Sequence, residues 1–186
     1  MVNPRTMKPA QSYAVGFEVL LRTSRDRAWQ GLTAEIGAWW PRHFFTHPNP
    51  AGFVLEPFLG GRVYEDWGDT AGVLWGTVVV WVPGQRMTWA CEMYPDWSGP
   101  GRSFVTFTLE DRGPHTLVKV EDHGICINAH QAGTSLNSGW NELIGTHFRN
   151  FIEANQWSPP PKLADSGPMA MRYGDLNASD EVSFDP

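Results

Sequence analysis

The chain has 186 residues, of which 41% are hydrophobic and ten are tryptophan, enough for one domain that buries roughly 70% of its unfolded surface. A formal net charge of −6 without any Lys/Arg cluster excludes a phosphate-tracking surface, so nucleic acid is not an expected partner. The opening MVNPRTMKPAQ lacks an apolar signal core, and the longest wholly apolar run, Val78 to Val82, is far short of the ~20 residues of a membrane helix, so no membrane span and a cytoplasmic location are expected.

In chain order, the first predicted element is a strand from Tyr13 to Arg22, in which Val15, Phe17, Val19 and Leu21 fall on one face by period-two alternation. Thr23-Ser24 then caps a short helix carrying Trp29 and Leu32 that ends before Gly37, and Ala38-Trp39-Trp40-Pro41 predicts a second short helix stopped by proline. Between Gly52 and Leu109 four extended runs are predicted, with turn signals at Gly60-Gly61, Gly68-Asp69, Pro83-Gly84 and Pro95 through Gly101. A last strand, His115 to His123, completes an antiparallel meander. Thr134 to Ala154 then has helical spacing, with Leu136, Trp140, Leu143, Ile144, His147 and Phe151 on one stripe. Beyond Trp157 come Pro159-Pro160-Pro161 and a polar stretch in which Asp165, Asp175, Asp180, Glu181 and Asp185 outnumber Lys162 and Arg172 by three. The expected organisation is an N-terminal extension over residues 1–12, one domain over 13–156 and a Pro-rich acidic tail over 157–186, extended or disordered.

This order of elements is that of the α+β helix-grip fold, a curved antiparallel sheet wrapped around a long C-terminal helix with two short helices after the first strand. From Tyr13 to Ala154 the chain resembles the START-like SRPBCC superfamily, in particular the branch of homologues of the heat-shock-protein-90 ATPase activator. The residues that carry the resemblance are Trp39-Trp40-Pro41, Gly60-Gly61-Arg62 with Glu65, Trp75-Gly76-Thr77-Val78, Trp81-Val82-Pro83, Met87-Thr88-Trp89, Val105-Thr106-Phe107, Thr116-Leu117-Val118 and Gly139-Trp140. Where the superfamily's last strand often ends in histidine, this chain has Asp122, followed by His123. The resemblance implies a concave sheet face that the long helix clamps without filling, leaving a cavity for a small apolar ligand. Relatives of this kind include lipid carriers, hormone receptors, polyketide cyclases and chaperone regulators.

Strand parity names the expected walls. With Arg62 and Asp66 facing solvent, Val63, Glu65 and Trp67 face inward; with Arg86, Thr88 and Glu92 outward, Met87, Trp89, Cys91 and Met93 face inward. Val105, Phe107 and Leu109 join them, as do Thr116, Val118, Val120 and Asp122. The expected ligand-binding set is Trp40, Phe44, Val63, Trp67, Met87, Trp89, Cys91, Met93, Phe107, Trp140, Ile144 and His147. Glu65, Asp122 and His147 are polar on inner faces, where an unpaired charge costs several kcal/mol. They are therefore candidates for general acid–base catalysis, or else for a structural network in which Glu65 pairs with an arginine and His147 bonds a strand carbonyl. Cys91 is expected to be a small buried hydrophobe.

Other chemistry finds little support. His43 and His47 stand four apart, a spacing by which a helix can offer two metal ligands, but Pro41 and Pro48 flank them and no third ligand is evident nearby, so no metal is expected. Cys91 and Cys126 have no metal-ligand spacing and make no disulfide framework, and phosphate-binding loops and a nucleophile elbow are absent. No cofactor is expected. The leading functional expectation is binding of a hydrophobic or aromatic small molecule in an enclosed cavity, with a cofactor-independent cyclase or dehydratase using Glu65 and His147 as the alternative. A chaperone-associated module, implied by the branch's name, is third. Finally, Trp75 and Trp81, six apart in one run, share a face opposite Leu74, Val78, Val80 and Val82. If the aliphatic face is the core, both tryptophans lie on the convex surface and predict a homodimer through it, or a covering by the tail.

Overall fold

The computed structural model describes residues 9–94 and 99–154; the tail expected over 157–186 lies outside the described residues. Strand β1 (Gln11–Leu21) is followed by helix α1 (Arg25–Leu32), helix α2 (Ile36–Trp39) and a 3₁₀ turn (Arg42–Phe44). Strands β2 (Gly52–Leu55), β3 (Arg62–Gly68), β4 (Ala71–Val82), β5 (Arg86–Met93), β6 (Gly101–Arg112) and β7 (His115–Cys126) come next. Helix α3 (Ala129–Glu142) then runs through a π-helical turn (Leu143–Phe148) into α4 (Arg149–Ala154). Five strands rather than four lie between Gly52 and Arg112, because the chain before Gly60-Gly61 forms the short β2 of its own.

All seven strands form one antiparallel sheet in the order β1-β7-β6-β5-β4-β3-β2. β2 to β7 are a meander, and β1 returns beside β7. Because β1 and β2 sit at opposite edges, the segment between them must cross the sheet, and it does so with α1 against β6 and β7 and α2 against β2. Ser24 caps α1 as expected, its hydroxyl accepting from the Arg27 amide at 3.3 Å. The inner sheet face buries Val19, Leu21, Phe53, Leu55, Val63, Met87, Trp89, Val105, Phe107, Val118 and Val120 in one core with α1, α2 and the long helix. Parity from the outward charges Arg62 and Asp66 in β3 and Arg86 and Glu92 in β5 thus places the core side of these strands, although Thr88, expected to face solvent, is buried against Thr106.

Parity fails in β4, where the expected convex placement of Trp75 and Trp81 is overturned. Register shifts interrupt its pairing at three places, against β3 between Val63 and Tyr64 and between Asp66 and Gly68, and against β5 between Val78 and Val80. Each adds a residue on one strand, and an added residue reverses which side chains face in. Val78 is therefore buried opposite Trp89, whereas Val79 and Val82 are each 41% exposed and Leu74 is 37% exposed. Trp81, opposite Met87, packs on the core with its ring 4.9 Å from that of Trp29, and Trp75 also packs on the core. The argument for a dimer at a tryptophan-bearing convex face falls with that parity.

The long helix shows a second shift. It begins at Ala129 rather than Thr134, and its buried stripe runs Trp140, Leu143, Ile144, Phe148, Ile152. The expected stripe continued through His147 and Phe151, which are only part-buried. A π turn closes i→i+5 bonds and adds one residue to a turn, which moves the inward positions one place along the chain.

Candidate functional site

A partly open cavity of about 330 Å³ lies between α3 and the sheet. Its walls are Phe44 from the 3₁₀ turn, Trp75 from β4, Met93 from β5 and one face of the helix: Gln131, Ala132, Ser135, Leu136, Gly139, Trp140 and Leu143. The helical set has the i, i+3/i+4 spacing of one face. Gly139 leaves room there, since a Cβ at this position would come within 3.5 Å of the Phe44 ring.

Of the expected ligand-binding residues, Phe44, Met93 and Trp140 line this cavity. Val63, Met87, Trp89, Phe107 and Ile144 are instead core residues, buried to 1% exposure or less. Trp40 is buried in a stack on Phe53 with centroids 3.7 Å apart, and its edge meets Trp75 at 5.4 Å. Trp67 stacks on His47 at 5.0 Å, which also accounts for His47 without a metal. Cys91 is part-buried, and burial holds its thiol above the ordinary value, making it a poor nucleophile. The lining residues absent from the expected set are Trp75, lost to the bulges, and Gln131, Ala132, Ser135, Leu136, Gly139 and Leu143 of the long helix. The stripe Leu136, Trp140, Leu143 was the legible signal for the helix wall.

The three polar candidates fall into separate surroundings. Glu65 is fully buried, and its carboxylate accepts from the Thr46 amide at 3.0 Å, the Thr46 hydroxyl at 2.8 Å, and the indole N–H groups of Trp67 and Trp75 at 3.0 Å each. Among the described residues it is not paired with an arginine. Two tryptophans and the loop after the 3₁₀ turn are thereby pinned to β3. Asp122, 1% exposed, accepts from Trp140 Nε1 at 2.9 Å and from the Tyr13 hydroxyl at 3.2 Å, with Ser103 a further partner. Glu65 on β3 and Asp122 on β7 are four strands apart, about 19 Å along the sheet. His147 is 33% exposed and faces Glu142, with Nε2 3.5 Å from Oε1. It lies with neither carboxylate.

Indole N–H groups recur as ties to buried acceptors. Trp67 and Trp75 hold Glu65, Trp140 holds Asp122, and Trp39 donates to the Gly31 carbonyl at 2.8 Å. The large rings fill the core while the N–H satisfies polar groups that burial would otherwise strand. Trp40 Nε1 and Trp89 Nε1 are buried with no hydrogen-bond partner among the described residues. Both rings sit directly behind lining residues, Trp40 against Phe44 and Trp75 and Trp89 against Trp140.

Desolvation raises the pKa of Asp122 above its ordinary 3.8, opposed by the hydrogen bonds from Trp140, Ser103 and Tyr13. The native state therefore binds this proton more tightly than the unfolded chain. The stability it contributes is complete below pH 3.8 and is lost as pH rises through the higher folded value. The surface carboxylates Glu56, Glu110, Glu142 and Glu153 shift the opposite way, so the test is a difference. The melting temperature of Asp122→Asn minus that of wild type should rise with pH across this window and level above it; a flat difference would show that Asp122 does not carry the proton.

A seven-stranded antiparallel sheet in which β2 to β7 form a meander closed by β1, a helix laid across its concave face and a cavity between the two define a START-like SRPBCC domain of the helix-grip fold. The family model described as activator of Hsp90 ATPase homolog 1-like protein matches residues 22–153, and the chain belongs to that family. Among solved structures, it is similar to protein MLL2253 from Mesorhizobium loti, with TM-score 0.60 and 19% identity over 78% of this chain and 100% of that one. It is also similar to the Aha1 dimer from Colwellia psychrerythraea, with TM-score 0.53 and 16% identity over 78% of this chain and 99% of that one. A third is DynU16, a protein of the dynemicin biosynthetic locus, with TM-score 0.56 and 18% identity over 76% of this chain and 48% of that one. At these identities the likeness is one of fold. No curated protein matches the chain. No helix among the described residues is long and apolar enough to cross a membrane.

Proposed function

We propose that the chain binds a small molecule with an aromatic or otherwise apolar body in the cavity beneath α3. The observation that carries this reading is the cavity itself, about 330 Å³ walled by Phe44, Trp75, Met93, Leu136, Trp140 and Leu143, with Ser135 and Gln131 its polar members. Its size and lining suit a ligand of roughly one to three rings, and the polar groups would fix its orientation. The unpartnered indoles of Trp40 and Trp89, one layer behind the wall, suit a ligand whose carbonyl or hydroxyl oxygen reaches them on modest rearrangement. DynU16, from a biosynthetic locus, lends a natural-product ligand some support by analogy of fold. The acid–base alternative gains nothing from the geometry, because Glu65 is saturated by donors and His147 lies elsewhere.

The test is a panel of flavonoids, aromatic polyketides, fatty acids and sterols, read by tryptophan fluorescence and thermal unfolding. A true ligand at a hundredfold excess over its dissociation constant should stabilise the fold by about 2.7 kcal/mol and quench Trp75 and Trp140 emission. Gly139→Leu should fill the cavity and abolish both effects while the free protein melts no lower, since leucine is the better helix former by roughly 0.8 kcal/mol. A panel without any shift, or shifts that persist unchanged in Gly139→Leu, would defeat the reading.

A further inference from the structure

We propose that His43, Glu142 and His147 form a binding site for a divalent transition-metal ion, with Zn²⁺ the best match. The site is separate from the cavity and independent of what the cavity binds. His43 Nε2 lies 2.6 Å from Glu142 Oε1, and His147 Nε2 lies 3.5 Å from the same oxygen. One ligand atom from each residue falls within 4.8 Å of the other two. The two imidazole rings are 5.7 Å apart between centroids.

The spacing in sequence hides this cluster, and two features of the fold create it. Glu142 and His147 are five apart, which on a regular α-helix would turn them about 140° away from each other. The π turn over Leu143–Phe148 widens the helix to i→i+5 closure and brings them onto one face. The 3₁₀ turn over Arg42–Phe44, held between Trp40-Pro41 and the Thr46–Glu65 bonds, delivers His43 to the same place.

The donor set suits zinc chemically. Two imidazole nitrogens and one carboxylate oxygen are a ligand trio that Zn²⁺ accepts with a fourth position left to water. Bonds of roughly 2.0–2.1 Å in tetrahedral array put ligand atoms about 3.3 Å apart. Relative to that, the His43–Glu142 contact must open by under roughly 1 Å and the imidazole nitrogens must close by up to roughly 1.5 Å. Side-chain exposures of 59% for His43, 44% for Glu142 and 33% for His147 leave both the room to move and a path for the ion. Phe44 and Leu143, the chain neighbours of His43 and Glu142, both line the cavity, so the ion would tie the 3₁₀ turn to the long helix along the cavity's edge.

The experiment is titration of the full chain with Zn²⁺ alone by calorimetry and elemental analysis after dialysis, alongside His43→Ala, His147→Ala, Glu142→Gln and, as a control, His123→Ala. One ion per chain is expected in wild type and His123→Ala. Affinity should fall roughly 100-fold or more in each of the three site variants, whose unliganded melting temperatures should stay close to wild type because all three positions are part-exposed. Co²⁺ should give the intense visible spectrum of a tetrahedral site in wild type and His123→Ala but in none of the three site variants. The proposal is overturned if wild type retains no Zn²⁺ after dialysis, which would leave the trio as a hydrogen-bonded clasp, or if the three variants bind as wild type does.

Discussion

Glu65→Ala is expected to destabilise the protein by about 3–5 kcal/mol, because it removes the acceptor shared by four donors, and a buried donor left unsatisfied costs about 1–3 kcal/mol. The carboxylate is fully buried and receives the Thr46 amide, the Thr46 hydroxyl and the Trp67 and Trp75 indoles. Truncation leaves those donors facing an apolar hole and frees the loop that Thr46 anchors. Glu65→Gln should also destabilise, though less, because the amide keeps one acceptor oxygen but points an N–H₂ at groups that are themselves donors. Chemical denaturation of both variants measures this. Because Trp75 lines the cavity, loosening its tether should weaken ligand binding as well, in step with the stability loss. Both variants melting like wild type would mean that Glu65 is not the keystone of this corner, and a catalytic role would regain its place.

Phe148→Ala should cost about 3–5 kcal/mol, whereas His147→Ala and Phe151→Ala should each cost about 1 kcal/mol or less. Phe148 is completely buried, with its ring 5.0 Å from that of Trp39 and its edge close to Gly31 of α1, so its removal opens a cavity where three helices meet. Phe151 is part-buried beneath the Arg27 guanidinium, 5.4 Å from its ring centroid. The comparison tests the register set by the π turn, since an uninterrupted α-helix continuing the Leu136–Trp140 stripe would reverse the ranking toward His147 and Phe151. Urea denaturation of the three variants, with m-values checked for two-state unfolding, decides it.

Both misreadings in the sequence have one cause. Parity in β3, β5, β6 and β7 was legible because charged outward residues alternate there with inward ones, and the bulge in β3, between Asp66 and Gly68, comes after Val63 and Glu65. β4 carries no charged side chain between Ala71 and Val82, so nothing in its composition marks where a bulge reverses the faces. Likewise the long helix announced itself through Leu136, Trp140 and Ile144, but the extra residue of the π turn has no composition of its own. Inserted residues in β4 put Trp75 and Trp81 on the inside, and the one in the π turn put His147 toward the outside. Glu65 and Asp122 were recognisable as buried acids from strand parity, yet their partners, Thr46 and Tyr13, lie 19 and 109 residues away along the chain and could not be paired without coordinates.

What the amino-acid sequence by itself determined is therefore whatever depends on short-range periodicity and capping: the sheet with its inward core residues, the Ser24-capped helix, the long C-terminal helix and the family resemblance carried by motifs along Tyr13 to Ala154. Only the tertiary structure decided which polar groups meet. It set Glu65 under two indoles, Asp122 behind Trp140, and His43 beside Glu142 and His147. The physical reason is that side-chain direction accumulates along an element, so one bulge or one π turn reverses everything after it, whereas the hydrophobic pattern that selects the fold tolerates such a step.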